Sequence, residues 1–404
     1  MMPVVLLGEG YAGATMMAVV RSLGRHGVRV SVFSSHPRSP ARYSRYCRYF
    51  WAPDAVREPD ALQKLLIEHA KVLPYQALLF PVGDAELMFL RDRAEKLSPY
   101  FRFNIASPQL LHGLANKQTQ YRIASKCGVS IPATYFGLNS TNLHEHSVQF
   151  PVVIKPIYSH LWPWRGKTKA FSAENIAQLE IRLKELESRN IPVMVQSIIP
   201  GPPSELYTVV AYISKTQTKP VVASFRKLRH FPLDFGFGSL NETVRIDLLE
   251  EQVVRFLNTI AFTGVCGLEF KRDFRDGQFK FIEINARFEL AHHLVATAGI
   301  DVAKIMYEDL TGCRLGAHEQ YQVGMRWICL TLDLKASRAL FLTGDLSFSD
   351  WMRSMRNVRT EALLTWDDPL PGLYSYGRTL FHGLWPDGLK IRRESNLSAL
   401  HETL

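Results

Sequence analysis

Two segments in the second half of the chain carry acidic and amide side chains that suit metal-ion chemistry. Glu269 lies in one apolar run, and Glu283, Asn285 and Arg287 follow at two-residue intervals in the next. Side chains alternate along a β-strand, so the last three are predicted to share one strand face with Phe281. Carboxylate and amide oxygens suit Mg²⁺, which proteins normally bind together with substrate phosphates. We expect a magnesium site here, with Arg287 placed to bind phosphate or acyl oxygens.

Whether Glu269 joins this site depends on the loop between the two strands. A two-residue loop would place Glu269 opposite Ile284, on the wrong face. A three-residue loop ending at Gly277 pairs Glu269 with Glu283 instead. Opposed carboxylates repel each other, so this second register requires a cation between them. We therefore expect the three-residue loop and a bound metal ion.

Basic side chains upstream of the carboxylates are candidates for phosphate binding. Lys117 lies at a predicted helix start and Lys155 at a predicted strand end, while Arg226 and Lys227 form a cationic pair nearer the acidic residues. Lysines bind phosphate as point charges when they converge, and are ordinary surface residues when they do not. The fold must therefore decide between these two roles.

The elements that must position these residues begin with an α/β pattern. The apolar run at residues 4–7, a glycine-rich turn, a helical stretch and a second apolar run ending at Phe33 are typical of a βαβ unit. The first 105 or so residues are therefore predicted to form a parallel α/β domain. Asn116 is expected to cap the helix that carries Lys117, and Ser172 to cap a helix reaching Ser188. Residues 236–238 are predicted to form a turn.

The glycine-rich turn has the spacing GxGxxG at Gly8, Gly10 and Gly13. A dinucleotide site also needs an acidic residue about 20 positions further on. The sequence has no Asp or Glu between Gly10 and Pro53, whereas it has seven arginines there. This argues against a nicotinamide-dependent oxidoreductase and favours a tight strand-to-helix turn. The arginines form either a solvated face or a surface on which an anion docks.

Composition sets wider limits. Of the 404 residues, 47% are hydrophobic and 21% charged, which is ordinary for a globular protein. The net charge of +10 favours an anionic partner: nucleic acid, an acidic membrane surface or a phosphorylated small molecule. The five cysteines are scattered without a CxxC pair, so we expect them to be reduced. No apolar run is long enough to span a membrane and no basic leader is evident, so a cytoplasmic location is expected.

Several short motifs together resemble a known family. They are Asn-Lys at Lys117, Val-Val-Ile-Lys155-Pro, Gln196-Ser-Ile-Ile-Pro-Gly201, Gly-Leu-Glu269-Phe and Glu283-Ile-Asn285-Ala-Arg287. Their order is that of the ATP-grasp carboxylate-amine ligases, and the chain most resembles the D-aspartate ligase-like branch over about residues 1–312. The resemblance implies a Rossmann-like parallel sheet (1–106) followed by an ATP-grasp fold of two α+β subdomains. The small subdomain would span 107–195, the large subdomain with the metal site 196–324, and a C-terminal extension 325–404.

The resemblance also implies ATP and Mg²⁺ as ligands, with Mn²⁺ as an alternative ion. It assigns phosphate and adenine contacts to Lys117 and Lys155, the adenine edge to the backbone of Gln196, Ser197, Ile198 and Ile199, and the ribose to Glu205. It assigns the γ-phosphate to Arg226 or Lys227, the metal to Glu269, Glu283 and Asn285, and the acyl phosphate to Arg287. The loop between Lys155 and Ala170, rich in tryptophan, would act as a lid.

The implied activity is ATP-dependent joining of a carboxylate to an amine through an acyl phosphate, with release of ADP and phosphate. The partners would be small-molecule carboxylate and amine substrates, for example an amino acid or a phosphorylated or nucleotide-linked acceptor. Nucleic acid and a membrane span are not expected, and a homodimer is left open. The alternative is a non-catalytic protein that binds nucleotides or nucleic acid through the basic N-terminal surface, with binding that falls steeply as salt rises.

Overall fold

The structure is a computed structural model that describes residues 1–10, 13–34, 36–52, 58–158, 162–163, 168–217, 220–313, 315 and 320–384. Its strands form three sheets of five, four and seven strands, covered by helices. The predicted combination of a parallel α/β sheet with α+β units is confirmed. The boundaries given above for the domains stay a prediction.

The first sheet is parallel, with strand order β3-β2-β1-β4-β5. Its strands are β1 (Val4–Leu7), β2 (Val30–Phe33), β3 (Cys47–Trp51), β4 (Ala77–Pro81) and β5 (Phe101–Arg102), and its helices are α1 (Ala14–Arg25), α2 (Pro59–Lys71) and α3 (Asp84–Leu97). Gly8, Gly10 and Gly13 have positive φ and α1 follows Gly13 directly, as expected for the predicted strand-to-helix turn. Strand order reverses between β1 and β4, so the loops after them meet in the crevice where such sheets bind ligands.

The second sheet is smaller and antiparallel, with order β6-β9-β7-β8. Two helices lead into it, α4 (Pro108–Leu114) and α5 (Lys117–Lys126), and its own elements are β6 (Thr134–Tyr135), β7 (Val152–Pro156), β8 (Phe171–Ala173), α6 (Ile176–Ser188) and β9 (Val193–Ser197). The predicted cap at Asn116 is confirmed, since its side chain accepts from the amide of Thr119. The predicted cap at Ser172 was wrong. Ser172 lies inside β8, and Asn175 caps α6 by accepting from the amide of Gln178.

The third sheet has seven strands, in the order β14-β13-β10-β11-β12-β15-β16. They are β10 (Leu206–Ile213), β11 (Val221–Phe231), β12 (Phe237–Val244), β13 (Gly264–Arg272), β14 (Phe279–Asn285), β15 (Arg326–Ile328) and β16 (Val358–Glu361). The helices of this part are α7 (Asp247–Thr259), α8 (His292–Thr297), α9 (Val302–Leu310), α10 (Leu330–Thr343), α11 (Phe348–Ser354) and α12 (Leu370–Leu384). The turn expected at residues 236–238 was wrong, because Phe237 opens β12, which pairs with β11 and β15.

Two apolar cores join the first sheet to the large sheet, and a third lies under the small sheet. One core combines α1, α8 and α9 with one face of each of the two sheets, and the other combines α2, α3, α5 and α7 with the opposite faces. All five cysteines are free thiols. In the part of the chain that the structure describes, no helix has the length and apolarity needed to cross a membrane.

Candidate active site

The hairpin of β13 and β14 sets the position of the predicted acidic residues. Glu269 pairs with Glu283, the register that the sequence favoured, but the three-residue loop was wrong: β13 ends at Arg272 and β14 begins only at Phe279. The register shifts between Glu269 and Phe270, so a bulge rather than the loop brings the two carboxylates opposite each other.

The bulge also corrects the predicted strand face. Phe281 and Ile284 are both buried in the apolar core under α7, whereas Glu283 and Asn285 face the other way. Phe281 therefore does not share a face with Glu283. Because the extra residue at Ile282 interrupts the alternation, a strict two-residue period fails at this point.

Each of the two opposed carboxylates binds a lysine. Lys117 Nζ lies 2.7 Å from Glu283 Oε2, and Lys227 Nζ lies 2.8 Å from Glu269 Oε2. The charge of Lys117 is the main reason why the pKa of Glu283 is held well below its usual value. Burial alone would lower the pKa of both lysines, yet their carboxylate partners raise it, so both stay charged. The repulsion that led us to expect a metal is thus relieved here by two ammonium groups.

The elements explain how these lysines reach the carboxylates. Lys117 is the first residue of α5, whose cap fixes where the helix begins, and its amide donates to Ile157 at the end of the small sheet. Lys227 lies on β11, two strands away from Glu269 in the large sheet. The small and large sheets therefore both contribute to one charged cluster, which we call the lysine-carboxylate cluster: Lys117, Lys155, Lys169, Lys227, Glu269, Glu283, Asn285 and Glu289.

Asn285 links the predicted metal ligands to an acidic residue that sequence reasoning missed. Its amide nitrogen donates to Glu283 Oε1 at 3.3 Å and to Glu289 Oε1 at 3.1 Å, which leaves the amide oxygen directed elsewhere. Glu289 is only 7% exposed. Burial, reinforced by the charges of Glu269 and Glu283, raises its pKa to about 7. Gly267 leaves the space that Glu289 occupies, because a Cβ atom there would lie 2.2 Å from Glu289 Oε1.

Lys155 extends the cluster into the small sheet. Its ammonium donates to Gln196 Oε1 at 2.9 Å, and Tyr121 OH donates to the same oxygen. Burial and the nearby charge of Lys117 lower the pKa of Lys155 to about 8. Gln196 thus enters the site through its side chain, while the resemblance had assigned it a backbone role.

Lys169 is a second residue that sequence reasoning missed. Its ammonium stands 3.4 Å from the centroid of the Phe237 ring, an arrangement that favours the charged form through the ring's negative face. Burial nevertheless lowers the pKa of Lys169 to about 8, and the charge of Glu283 acts in the opposite direction. A lone lysine at the end of a loop gave no signal in the sequence.

Arg226 lies apart from the cluster although it is adjacent to Lys227. Successive side chains on β11 point to opposite faces, and Arg226 binds Glu242 through two nitrogens, at 3.1 Å and 2.7 Å. Glu242 also binds Arg326 from β15. Of the two γ-phosphate candidates, the structure therefore brings only Lys227 to the carboxylates.

Arg287 connects the cluster to the first sheet. Its Nε donates to Asp84 Oδ1 at 2.8 Å, and Asp84 is the first residue of α3, at the crevice beside β4. Burial alone would lower the pKa of Arg287, but the carboxylate of Asp84 raises it. Arg287 thus lies between the predicted metal ligands and the crevice of the first sheet where the strand order reverses.

The remaining predicted nucleotide contacts lie at the end of β9, an inner strand of the small sheet, and just beyond it. The amides of Ser197 and Ile198 donate to Ala133 and Pro151, so these two donors are already used within the sheet. Ile199 is buried just beyond them. Glu205 follows in a short 3₁₀ turn and accepts from Tyr207 OH at 3.3 Å. Half of the predicted lid, residues 159–161 and 164–167, lies outside the described residues.

The donor set fits a hard cation by its chemistry. Two carboxylates and one amide oxygen, all oxygen donors on one surface, suit Mg²⁺. Among the described residues, however, no group of three or more His, Cys, Asp or Glu side chains is arranged to hold a metal ion. Lys117 and Lys227 occupy the carboxylate oxygens instead. A metal would therefore bind only once these lysines had turned to another anion.

Comparisons with known proteins agree with this geometry. Residues 239–317 match the family model described as the carbamoyl-phosphate synthase L chain, ATP binding domain. The chain is 24% identical over 301 residues to the D-aspartate ligase of Enterococcus faecium, which covers 70% of this chain and 71% of that protein. Glu269, Glu283 and Asn285 all fall within the stretch that the family model matches.

Solved structures show the same fold at low sequence identity. The L-amino acid ligase of Bacillus licheniformis aligns with a TM-score of 0.61 at 13% identity, covering 81% of this chain and 78% of that chain. The biotin carboxylase domain of Hydrogenobacter thermophilus 2-oxoglutarate carboxylase, solved with MgADP, aligns with a TM-score of 0.64 at 15% identity, covering 81% and 74%. The predicted resemblance is confirmed at the level of the fold: the chain has the ATP-grasp fold that these solved structures share.

Proposed function

We propose that the chain binds MgATP at the lysine-carboxylate cluster, between the small and large sheets, and uses it to join a carboxylate to an amine. The observation that carries this proposal is the convergence of Lys117, from helix α5, and Lys227, from strand β11, on Glu283 and Glu269. Lys117 and Lys227 are each paired with a carboxylate. When a triphosphate and a divalent ion bind together, the lysines can move to the phosphate oxygens and the ion can take their place at the carboxylates. The nucleotide and the ion together bring a net charge of about −2, which the further positive charges of Lys155 and Lys169 can offset in this partly buried place.

The lysines bind the nucleotide in this proposal. Lys117 and Lys227 leave their carboxylates for phosphate oxygens, as ammonium groups commonly serve as point-charge phosphate ligands. Lys155 and Lys169 have pKa values of about 8, and a polyanion nearby would hold both in the charged form. Gln196 and the following backbone to Ile199 remain the candidates for the adenine edge, and Glu205 for the ribose.

Glu269, Glu283 and the amide oxygen of Asn285 would hold Mg²⁺, which supplies charge neutralisation to the transferring phosphoryl group when it is bound. Glu289 keeps the Asn285 amide nitrogen occupied, so its oxygen can face the ion. Mn²⁺ shares the same preference for oxygen ligands and is proposed as a replacement ion.

The reaction has two steps. A substrate carboxylate oxygen attacks the γ-phosphorus of ATP, the bond to the β-γ bridging oxygen breaks, and ADP leaves. An amine nitrogen then attacks the acyl carbon of the acyl phosphate, loses a proton, and inorganic phosphate leaves with the bonding electron pair. Positioning and charge neutralisation carry such phosphoryl transfers, so no Ser or Cys nucleophile is needed.

In this proposal Arg287 would stabilise the acyl phosphate. Its guanidinium lies between the metal ligands and Asp84 at the crevice of the first sheet, where carboxylate substrates would enter. The similarity to a D-aspartate ligase and to an L-amino acid ligase supports an amino acid as one of the two substrates. A phosphorylated or nucleotide-linked acceptor for the other would suit the net charge of +10.

The test is ADP release in a screen of amino acids and other carboxylates crossed with amines. The wild-type chain is expected to release ADP with at least one pair, and Glu283→Gln to lose that turnover. Glu251→Gln, an exposed change on α7, is the matched control and should retain it. Full turnover by Glu283→Gln would contradict the assigned metal ligand. Stabilisation by an oligonucleotide or NAD, and not by MgATP, would favour the non-catalytic alternative or an oxidoreductase.

A further inference from the structure

A surface outside the lysine-carboxylate cluster combines exposed apolar side chains with arginines. It consists of the 3₁₀ helix at Pro40–Tyr43, the turn at residues 364–369 and the start of α12. We call it the arginine-leucine face. It is not used by the proposed reaction.

The apolar half of this face is unusually exposed. Trp366 has 103% of the exposure of a free residue, and Leu370 and Leu373 have 60% and 57%. Leu364 and Tyr43 are also exposed. Isolated exposed apolar residues are common on soluble proteins, whereas a contiguous group marks an interaction site.

Contacts within the described residues show that these side chains belong to one surface. The rings of Tyr43 and Tyr374 lie 4.2 Å apart, centroid to centroid, which joins the 3₁₀ helix to α12. A Cβ atom on Gly372 would lie 2.7 Å from Leu364 Cα, so the turn packs directly on α12. Arg45 donates to the carbonyl of Asp367, next to Trp366.

The polar half of the face is cationic. Arg38, Arg42, Arg45 and Arg378 are exposed, and they lie within or beside the 3₁₀ helix and α12 that form the face. The two acidic residues of the turn already bind arginines within the protein: Asp367 pairs with Arg25, and Asp368 with Arg21. Three arginines of the acid-free stretch found in the sequence, Arg38, Arg42 and Arg45, therefore contribute positive charge to this surface.

We propose that the arginine-leucine face docks the protein on an anionic lipid bilayer. A leucine-bearing helix start and a fully exposed tryptophan suit the boundary between headgroups and acyl chains, and flanking arginines suit anionic headgroups. Nucleic acid would pair with the arginines, but it would leave the leucines exposed to water. A bilayer offers anionic headgroups to the arginines and acyl chains to the apolar side chains, so the observations favour a bilayer.

The experiment is co-sedimentation of the full chain with vesicles of phosphatidylcholine, either alone or mixed with phosphatidylglycerol, at about 0.1 M salt. We expect binding to the mixed vesicles only, and loss of that binding at high salt. Arg38→Glu/Arg42→Glu should weaken it by at least about 30-fold, since each arginine near an anionic surface contributes about fivefold. Trp366→Ser/Leu370→Ser should weaken vesicle binding, while the dependence of binding on salt concentration should stay the same as in the wild type.

The matched control is Leu342→Ser/Leu248→Ser, which removes two equally exposed leucines from other surfaces and should bind like the wild type. All these side chains are exposed, and unchanged thermal denaturation confirms folding. Equal binding to both vesicle types, or no effect of the Trp366 and Leu370 changes, would overturn the proposal. So would a dimer that the Trp366 variant abolishes without any vesicle binding, or preferential binding to an oligonucleotide.

Discussion

Gly267→Ala tests how Glu289 is held beside the predicted metal ligands. Gly267 lies opposite Asn285 in the β13-β14 pair, and a Cβ atom there would lie 2.2 Å from Glu289 Oε1 and 2.3 Å from its Cγ. The glutamate is buried, so its side chain has no free space to move into. The substitution must displace Glu289 and break its 3.1 Å hydrogen bond with Asn285.

The size of the effect follows from these contacts. Overpacking a well-filled site costs about 1–3 kcal/mol, and a lost hydrogen bond to a charged group about 1.5–3 kcal/mol. Replacing a strand glycine by alanine returns about 0.5–1 kcal/mol through backbone entropy. We therefore expect Gly267→Ala to lower the free energy of unfolding by about 2–4 kcal/mol. Urea denaturation measures it as a shift of the midpoint at unchanged slope.

A second variant separates the clash from any other effect at this position. In Gly267→Ala/Glu289→Ala the atoms that the new Cβ would meet are gone, so the double variant should be no less stable than Glu289→Ala alone. The two changes are thus expected to be strongly non-additive. Gly377→Ala is the control, since a Cβ there meets nothing within 4 Å. Additive effects, or a Gly267→Ala chain as stable as the wild type, would refute this account of Glu289.

Three further predictions concern other parts of the chain. Asp368→Asn should destabilise the protein by about 3–5 kcal/mol, because it leaves the fully buried guanidinium of Arg21 without its counter-ion. Lys227→Met should abolish ATP-dependent turnover, whereas Arg226→Met, on the opposite face of β11, should largely retain it. Burial raises the pKa of Glu9 to about 7, so its contribution to stability is present below about pH 4.5 and is lost as the pH rises through 7. Glu9→Gln should therefore remove part of the stability loss between pH 5 and 8, up to about 3 kcal/mol.

Each of these has its own measurement and control. For Asp368, urea denaturation is compared with Asp367→Asn, whose half-exposed pair with Arg25 should contribute about 1 kcal/mol or less; equal effects would contradict the burial argument. Steady-state ADP release separates the β11 variants, and inactivity of Arg226→Met in a folded chain would count against the face assignment. For Glu9, parallel pH-stability curves of variant and wild type would show that its pKa is ordinary.

The sequence predicted those parts of the site that depend on short, local patterns. The capped start of α5 placed Lys117, and the choice between two registers placed Glu269 opposite Glu283, although the loop assumed for that register was wrong. Arg226 and Lys227 could not be separated in advance, because adjacent strand residues face opposite ways and the phase is set by the neighbouring strands. The roles of all these residues in catalysis stay predictions.

The missed features depend on contacts between distant segments. Glu289 and Lys169 gain their environment from burial against other elements, which no local pattern encodes. The bulge at Ile282 reversed the predicted face of Phe281 because one extra residue changes the phase of a strand. The predicted cap at Ser172 was wrong because Ser172 pairs within β8. Strand pairing there outweighs the local preference of serine for a helix cap.

The ion pair between Arg21 and Asp368 has a consequence for how the chain is made. Its partners are 347 residues apart in sequence, yet both side chains are buried in the folded protein. At translation rates of about 5–20 residues per second, the carboxylate is synthesised about 20–70 s after the guanidinium. Until then helix α1 carries a cation that cannot be buried without a large penalty. The N-terminal sheet consequently reaches its final packing only late in synthesis. Chaperones that bind nascent chains would act on it mainly during that interval.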